Sequence, residues 1–583
     1  MSDRVWAALR LALACAFALT ASPSIASATP MSGASSPQRA QSAITLASVG
    51  PAYDGGVARL EARFAPTLSG RKLLVQQRSD GSSWSTISTI NQPASGSLPI
   101  SDPIKSGTSK LSYRVVAPKT VALPRVVSNV VKVRVRTGPT CESVLSTSEC
   151  ATLLELRDPI GWDLSQSPCG PLEAIVCVGG HVTALDLYGD FSHLPDSIGN
   201  LTSLKSLSVR ASLTDVPDNI GTLTALQDLD LSGNQLASVP NTIGNLTDLE
   251  WLALDGNALT SLPDSITHLQ QLQRLILDDN HLTELLTAIG DLTSLRIISL
   301  TGNMLAALPE SIGQLNKVAT LDLEGNALAE LPPTLGGMTG LTELVLDDNA
   351  LTSLPASVGD LLQLATLRAR HNQLASIPAS MSNLHTLVTL DLSENRLTAL
   401  PDSLSALSTL GAINLASNSF TEVPVVLGAI PNLSSLTLDN NPLTLVPGWI
   451  GDLGNLRNLD LSGLPEGTAL PADLGRLVQL QSISLANDQM SSVPTWLTAM
   501  PKLRFIDLSD NQLTSVPATV ATLRLRNLDL ENNLLSGDIT SWAKPLKRHS
   551  PRVWLYLSGN GCMSVVNAKL AIWLADTGYD EAC

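Results

Sequence analysis

From residue 182 onward the chain repeats itself every 23 residues, and this period constrains the fold more than any other feature. Residues 226–248 read LQDLDLSGNQLASVPNTIGNLTD, and comparable units begin at Leu249, Leu272, Leu295, Val318, Leu341, Leu364, Leu387, Leu410, Leu433 and Leu456. Units beginning at Val182, Leu204, Leu480, Leu503 and Leu525 deviate by a residue or two, and a partial unit follows at 554–560. In each unit the leucines at the fourth and sixth places, such as Leu229 and Leu231, lie two apart on a short strand and point to one side, the interior. The asparagine at the ninth place, such as Asn234, turns the chain inward, where its amide can satisfy backbone groups that would otherwise be buried unpaired. Pro240 starts a return segment, and Ile243, Gly244 and Leu246 close the core behind the strand. One unit cannot bury its own leucines, so stability must come from stacking. Sixteen strands about 4.8 Å apart line an arc on the order of 75 Å, which accounts for most of the chain as one continuous domain.

The form L-x-x-L-x-L-x-x-N-x-L-x-x-L-P-x-x-I-G-x-L resembles the Leu-Pro, Ile-Gly class of leucine-rich repeat proteins. That resemblance implies an α/β repeat solenoid, a horseshoe with a parallel concave sheet over 182–560, and binding of another protein or a peptide on the concave wall. Solenoid ends expose leucines and need caps. Cys141, Trp162, Cys169 and Cys177, followed by Val182-Thr-Ala-Leu-Asp-Leu, resemble the plant-type cysteine cap, here 141–181. A C-terminal cap over 561–583 holds Cys562, Cys583 and an expected helix near 568–574. Of the fifteen pairings that six cysteines allow, Cys141 with Cys150, Cys169 with Cys177, and Cys562 with Cys583 are expected.

Residues 1–28 have the order of an export leader: Arg4 and Arg10, an apolar core, and Ala26-Ser27-Ala28 as a cleavage site. The apolar run from Leu11 to Leu19 falls short of the roughly 20 residues that span a bilayer. Cleavage removes Cys15 and leaves an even number of cysteines, suited to an oxidising compartment. A secreted, periplasmic or cell-surface bacterial protein is expected. After a Ser/Ala/Pro-rich linker at 29–42, strand-like segments separated by turn residues fill 43–138. The order of Gln76-Gln-Arg78, Trp84, Tyr113-Arg-Val-Val and Val130-Val-Lys-Val-Arg-Val-Arg136 resembles immunoglobulin-like or fibronectin-like modules, implying an all-β sandwich that acts as a spacer. Lys132, Arg134 and Arg136 read either as a face for acidic polymers or as the solvated side of an edge strand.

Charge divides the chain. Residues 31–140 hold 14 Lys/Arg against 4 Asp/Glu, whereas 141–583 hold 20 Lys/Arg against 47 Asp/Glu. The acidic excess argues against nucleic acid as a partner. The chain contains no H-E-x-x-H, G-x-x-x-x-G-K-[ST], G-x-S-x-G or C-x-x-C pattern, and its seven histidines lack metal-ligand spacing, so no enzyme, cofactor or metal is expected.

Function is expected on the strand residues between the leucines, which project outward and are free to vary. The fifth, seventh and eighth places carry Asp278, Asp279, Asp322, Glu324, Asp347, Asp348, Asp391 and Asp507, among other acids, and form an acidic trough. One basic island interrupts it: Arg368, Arg370 and His371. Tyr188, Trp251 and Phe505 add exposed aromatic anchors. Individual aspartates are also explained by duplication of an L-D-L-S consensus and by solubility, but the summed field favours a basic protein or peptide partner. The alternative is a structural envelope or matrix component that binds polysaccharide or divalent cations; the Asp278-Asp279 and Asp347-Asp348 pairs supply oxygen ligands without the looped spacing of a calcium site.

Overall fold

A computed structural model describes residues 174–565 without a break, 568–575, and upstream of these the segments 43–48, 52–53, 57–65, 72–79, 82–91, 97–103, 110–118, 126–128, 130–136, 144–156 and Cys169. The expected leader and linker lie outside the described residues. Backbone contacts divide the chain into two compact units, Met1–Thr137 and Gly138–Cys583.

Among the described residues of the first unit the regular elements are all β-strands. Ala43–Ser48, Val57–Ala65 and Ser97–Pro103 form an antiparallel three-stranded sheet. A second sheet runs in the order Ala52–Tyr53, Val131–Arg136, Lys110–Ala117, Lys72–Ser79, Ser85–Asn91. Alternation along these strands sends Leu46, Leu60 and Ile100 of the first sheet and Leu73, Val75, Leu111, Tyr113 and Val115 of the second into one core. Two guanidinium groups lie over the Trp84 ring, Arg78 at 4.6 Å and Arg114 at 4.2 Å from its centre. Lys132 is exposed, and at the end of its strand Val135 and Arg136 pair with the two-residue strand Ala52–Tyr53.

The second unit is the solenoid. Seventeen parallel strands, from His181–Tyr188 to Trp554–Tyr556, pair in sequence order, and Ile175–Val178 runs antiparallel along the first of them to complete an 18-stranded sheet. The strands repeat the leucine spacing: Leu229, Leu252, Leu275, Ile298 and Leu321 stand in register and are fully buried. The return segments are not α-helical. From Asp196–Asn200 to Val520–Thr522 each is a single 3-10 turn of three to five residues, most of them, such as Asn241–Asn245, entered through a proline such as Pro240, while Ile289–Asp291 and Val520–Thr522 follow Ala288 and Thr519. Twenty-three residues leave room for one turn between proline and the next leucine, and these turns stack closely. A Cβ on Gly244 would come within 2.3 Å of the Ser265 carbonyl oxygen, so the Ile-Gly step is set by contact with the following repeat.

α-Helix is confined to the ends. Thr147–Glu155 is capped by Ser146 and Glu149 in a reciprocal box. The buried Glu149 also accepts a hydrogen bond from the Val182 amide at 3.2 Å, which ties this helix to the first repeat strand. At the other end Thr540–His549 replaces the 3-10 turn and buries Trp542 and Leu546, and Ala568–Ala575 forms the helix expected there. Cys169 and Cys177 form a disulfide as expected. Cys150 and Cys562 are also disulfide-bonded; their expected partners Cys141 and Cys583 lie outside the described residues.

Between neighbouring repeats an asparagine ladder adds side-chain bonds to the backbone pairing of the strands. Asn257 Nδ2 donates to the carbonyls of Leu231 in the preceding repeat and Leu254 in its own, while its Oδ1 accepts from the Leu236 amide. The pattern recurs at 23-residue steps from Asn257 to Asn441, and again at Asn511, Asn533 and Asn560. It fails at two successive places, where Leu464 and Asp488 stand instead. Asp488 Oδ1 accepts from the Leu464 amide at 2.9 Å, as an asparagine oxygen would, but Oδ2 is buried with no partner. The backbone on either side is left-handed, at Asn487 (φ 57°) and Gln489 (φ 53°).

An ionised Asp488 directs a second oxygen to where its neighbours in the ladder place an N–H donor. Burial, reinforced by Asp460, pushes this carboxyl up to about 7 despite the backbone donors of Leu464 and Gly463. Because the folded value lies above the unfolded one, this group's contribution to stability is fully present below about pH 4 and is lost as pH rises through 7. Asp488→Asn supplies the missing donor. In denaturant unfolding at pH 8 the variant is expected to be more stable than the parent by about 1–3 kcal/mol, with the difference vanishing near pH 4; equal stabilities at pH 8 would show that the ladder tolerates the carboxylate.

Candidate interaction surface

On each strand the third and fifth places point away from the leucine core, and the seventh and eighth follow in the turn. The sheet therefore carries parallel files of variable residues, one per repeat. Asp230, Asp322, Asp391, Asp460, Asp507 and Asp529 belong to the fifth-place file. Several of these carboxylates also bond locally. Asp391 Oδ1 accepts from the Ser393 amide at 3.0 Å and its hydroxyl at 2.6 Å, and Asp507 receives the same two bonds from Ser509. Aspartate at the fifth place thus closes the strand-to-turn step, which explains its frequency without a ligand. The second oxygen of Asp391 accepts from Asn414 Nδ2 at 3.0 Å.

The eighth place is set by backbone conformation. It is left-handed in almost every repeat, occupied by Gly233, Gly256, Gly302 and Gly325 or by residues that tolerate positive φ: Asp279 (50°), Asp348 (54°), His371 (50°) and Glu394 (54°). In the pairs Asp278-Asp279 and Asp347-Asp348 the two carboxylates have different surroundings. Asp278 is half-buried and accepts from Ser299 Oγ at 2.6 Å and the Thr301 amide at 2.8 Å, while Asp279 is exposed. Burial still leaves the Asp278 carboxyl above its usual range, with Asp322 and Asp279 adding to the rise and the two hydrogen bonds opposing it. Among the described residues no group of three or more His, Cys, Asp or Glu converges on a common point.

The basic island is neutralised within the sheet. Arg368 lies in ion-pair contact with Asp347 Oδ2 and reaches Glu324 at 3.8 Å. Arg370 pairs with Glu394 at 2.6 Å, and His371 Nδ1 lies 2.5 Å from Asp348 Oδ1. Asp347 is buried; its desolvation raises its carboxyl above the usual range, opposed by the Arg370 amide and the Arg368 guanidinium. The sequence places Arg368, Arg370 and His371 together but does not reveal that Asp347 and Glu324 stand against Arg368, Glu394 against Arg370 and Asp348 against His371.

The three expected aromatic anchors differ. Phe505 is 42% exposed, and Trp251 is half-buried. Tyr188, 52% exposed, ends the first strand and borders a cavity of about 540 Å³ between Glu155–Leu156 and Gly189–Pro195. Two further aromatics belong with Phe505. Trp554 and Tyr556 hold the third and fifth places of the last strand and are 70% and 37% exposed. Continuing the repeat register into the partial unit would have found them.

Comparison with known proteins identifies the architecture. Models of a leucine-rich repeat region match residues 280–372 and 352–530, and a leucine rich repeat model matches 224–282. The solved structure of a Leptospira interrogans leucine-rich repeat protein is 31% identical, with a TM-score of 0.53 over 64% of this chain and 89% of that one. The chain belongs to the leucine-rich repeat family. The ectodomain of the Arabidopsis receptor kinase HAESA, solved with an extended IDA peptide hormone, is 26% identical, with a TM-score of 0.52 over 73% of this chain and 78% of that one. A probable inactive receptor kinase of Arabidopsis thaliana is 44% identical over 69 residues, and the chain spans about a tenth of that relative's length. Among the described residues no helix is long and apolar enough to cross a membrane.

The ion pairs of the island differ in burial, which predicts their importance. Arg368→Ala leaves the buried Asp347 carboxylate without its cation and is expected to cost about 1–3 kcal/mol at pH 7.5. The raised Asp347 carboxyl protonates on acidification, so the cost is expected to shrink toward pH 4. Arg370→Ala, which frees an exposed pair, should cost no more than about 1 kcal/mol. Chemical denaturation of both variants checks the order, and equal losses would contradict it.

Proposed function

We propose that this chain is an exported repeat protein that holds a basic protein or peptide partner against the outward side of its long sheet, without catalysis. One observation carries the reading: Arg210, Arg368, Arg370 and His371 on this face are each paired with a carboxylate, leaving an unmatched surplus of outward acids. A like-signed wall of this length attracts an oppositely charged partner and speeds its encounter. The likeness to a receptor ectodomain solved with a peptide hormone supports a peptide or protein as ligand. Residues 1–28 act as the leader in this reading, and the basic all-β unit, an immunoglobulin-like or fibronectin-like module, serves as a spacer. The surface residues assigned to binding are Trp251, Asp278, Asp279, Asp322, Glu324, Asp348, Asp391, Phe505 and Asp507, with Tyr188 at the N-terminal margin. Arg368, Arg370, His371 and the buried Asp347 shape the centre of the wall.

Capture from host and culture extracts with the chain from Thr29, in parallel with an Asp278→Asn, Asp322→Asn, Asp391→Asn variant, tests the reading. Basic proteins are expected to be retained at low salt, released at high salt and held several-fold less by the variant. Retention of neutral glycans instead, or binding abolished by chelators, would overturn it in favour of a structural envelope component.

A further inference from the structure

Resting on that reading, we infer that the C-terminal end of the sheet is an arginine-binding subsite, where a guanidinium of the partner lies on an aromatic platform and bonds to adjacent carboxylates. Strand register fixes the platform. Phe505, Asn527 and Trp554 align across the last three parallel strands in one file, and Asp507, Asp529 and Tyr556 align in the next. Both files face away from the leucine core, and neighbouring strands stand about 4.8 Å apart, so the six side chains share one small area. The three rings are all exposed, and Trp554 is the most exposed of the large apolar side chains on the sheet.

The charges distinguish this area from the rest of the wall. At the central island every acid facing a cation has its partner within the sheet, as described above. Here, among the described residues, no ion pair reaches Asp507 or Asp529. Asp507 Oδ1 is engaged by Ser509 and its Oδ2 only by a 3.3 Å bond from Ser484. Asp529 accepts one bond, from the Glu531 amide. Exposed indole and phenol faces favour a flat cation, and the flanking carboxylates select a group that can donate several N–H bonds in one plane. Guanidinium satisfies both; an ammonium satisfies the charge but not the planar fork. Charge complementarity thus commits the site to an arginine-bearing segment rather than to an apolar one.

The test measures binding of labelled hexa-arginine, hexa-lysine and hexa-glutamate peptides to the full chain at about 0.15 M salt, where screening acts over about 8 Å. Hexa-arginine is expected to bind more tightly than hexa-lysine, and hexa-glutamate not at all. Trp554→Ala and Asp529→Asn should each weaken hexa-arginine binding about tenfold, Trp554→Phe should retain most of it, and Asp264→Asn in a return segment, away from the outward side of the sheet, should leave it unchanged. Thermal melting of each variant separates a lost contact from a lost fold. Binding that weakens with Asp278→Asn but not with Trp554→Ala would overturn the subsite while leaving the acidic wall as the binding surface. Absence of hexa-arginine binding would overturn both. Equal affinity for lysine and arginine peptides, or preferential binding of a neutral oligosaccharide in the same assay, would overturn the arginine assignment.

Discussion

The solenoid depends on a single hydrogen-bonding unit, the ninth-place asparagine. Every strand ends by turning away from the sheet, and each turn leaves backbone carbonyls and an amide inside the protein, where an unpaired group costs about 1–3 kcal/mol. One amide side chain meets both needs because it donates and accepts at once: Asn280 donates to Leu254 and Leu277 and accepts from the Leu259 amide. Stacking of leucines holds the repeats together without specifying their spacing. The asparagine bonds do specify it, since they close only when the neighbouring turn stands in register. At Leu464 and Asp488 two successive repeats keep their strand pairing, backbone bonds such as Gly463 amide to Ala486 carbonyl, and one carboxylate contact in place of the asparagine bonds, and this is also where the repeat lengthens from 23 to 24 residues.

Much of this was legible in the sequence because a repeat presents the same constraint many times. The buried positions of Leu229 and Leu231 and the inward turn at Asn234 follow from spacing, whereas the sixteen expected strands fall short of the sheet by Trp554–Tyr556 of the partial unit and by the antiparallel Ile175–Val178. The return segments were less legible. The family pattern implies α-helix on the far side, but proline entry and the close approach behind Gly244 leave only a 3-10 turn. The protonation preference of Asp488 was not legible either. Aspartate and asparagine occupy the same volume, and only the surrounding carbonyls and donors distinguish what each can do there.

The composition of the candidate surface reflects two kinds of constraint. Aspartate at the fifth place is used by the turn, as its bonds to Ser393 and Ser509 show, and the eighth place selects glycine, asparagine or aspartate through its left-handed backbone. Much of the acidity of Asp279, Asp348, Asp391 and Asp507 is therefore compatible with structure alone. What structure does not require is the choice of Arg368 and Arg370 in one repeat or of Trp554 and Tyr556 in the last. Those side chains depart from the repeated pattern, and departures from a pattern that folding already satisfies carry more information about a partner than the pattern does.

The same distinction explains why charge counting along the sequence locates the wall but not its most receptive part. The central arginines are the most conspicuous exception to the acidic run, yet the fold places each against a carboxylate from an adjacent repeat, and their charges cancel locally. At the last strands the exception is aromatic instead of basic, so nothing in the sheet cancels the neighbouring Asp507 and Asp529. A partner approaching the wall meets a negative field along its length, but a short-range site for a planar cation only where rings and unmatched carboxylates coincide. Long-range attraction and local selection thus occupy different parts of one surface, the first spread over many repeats and the second confined to the end of the stack.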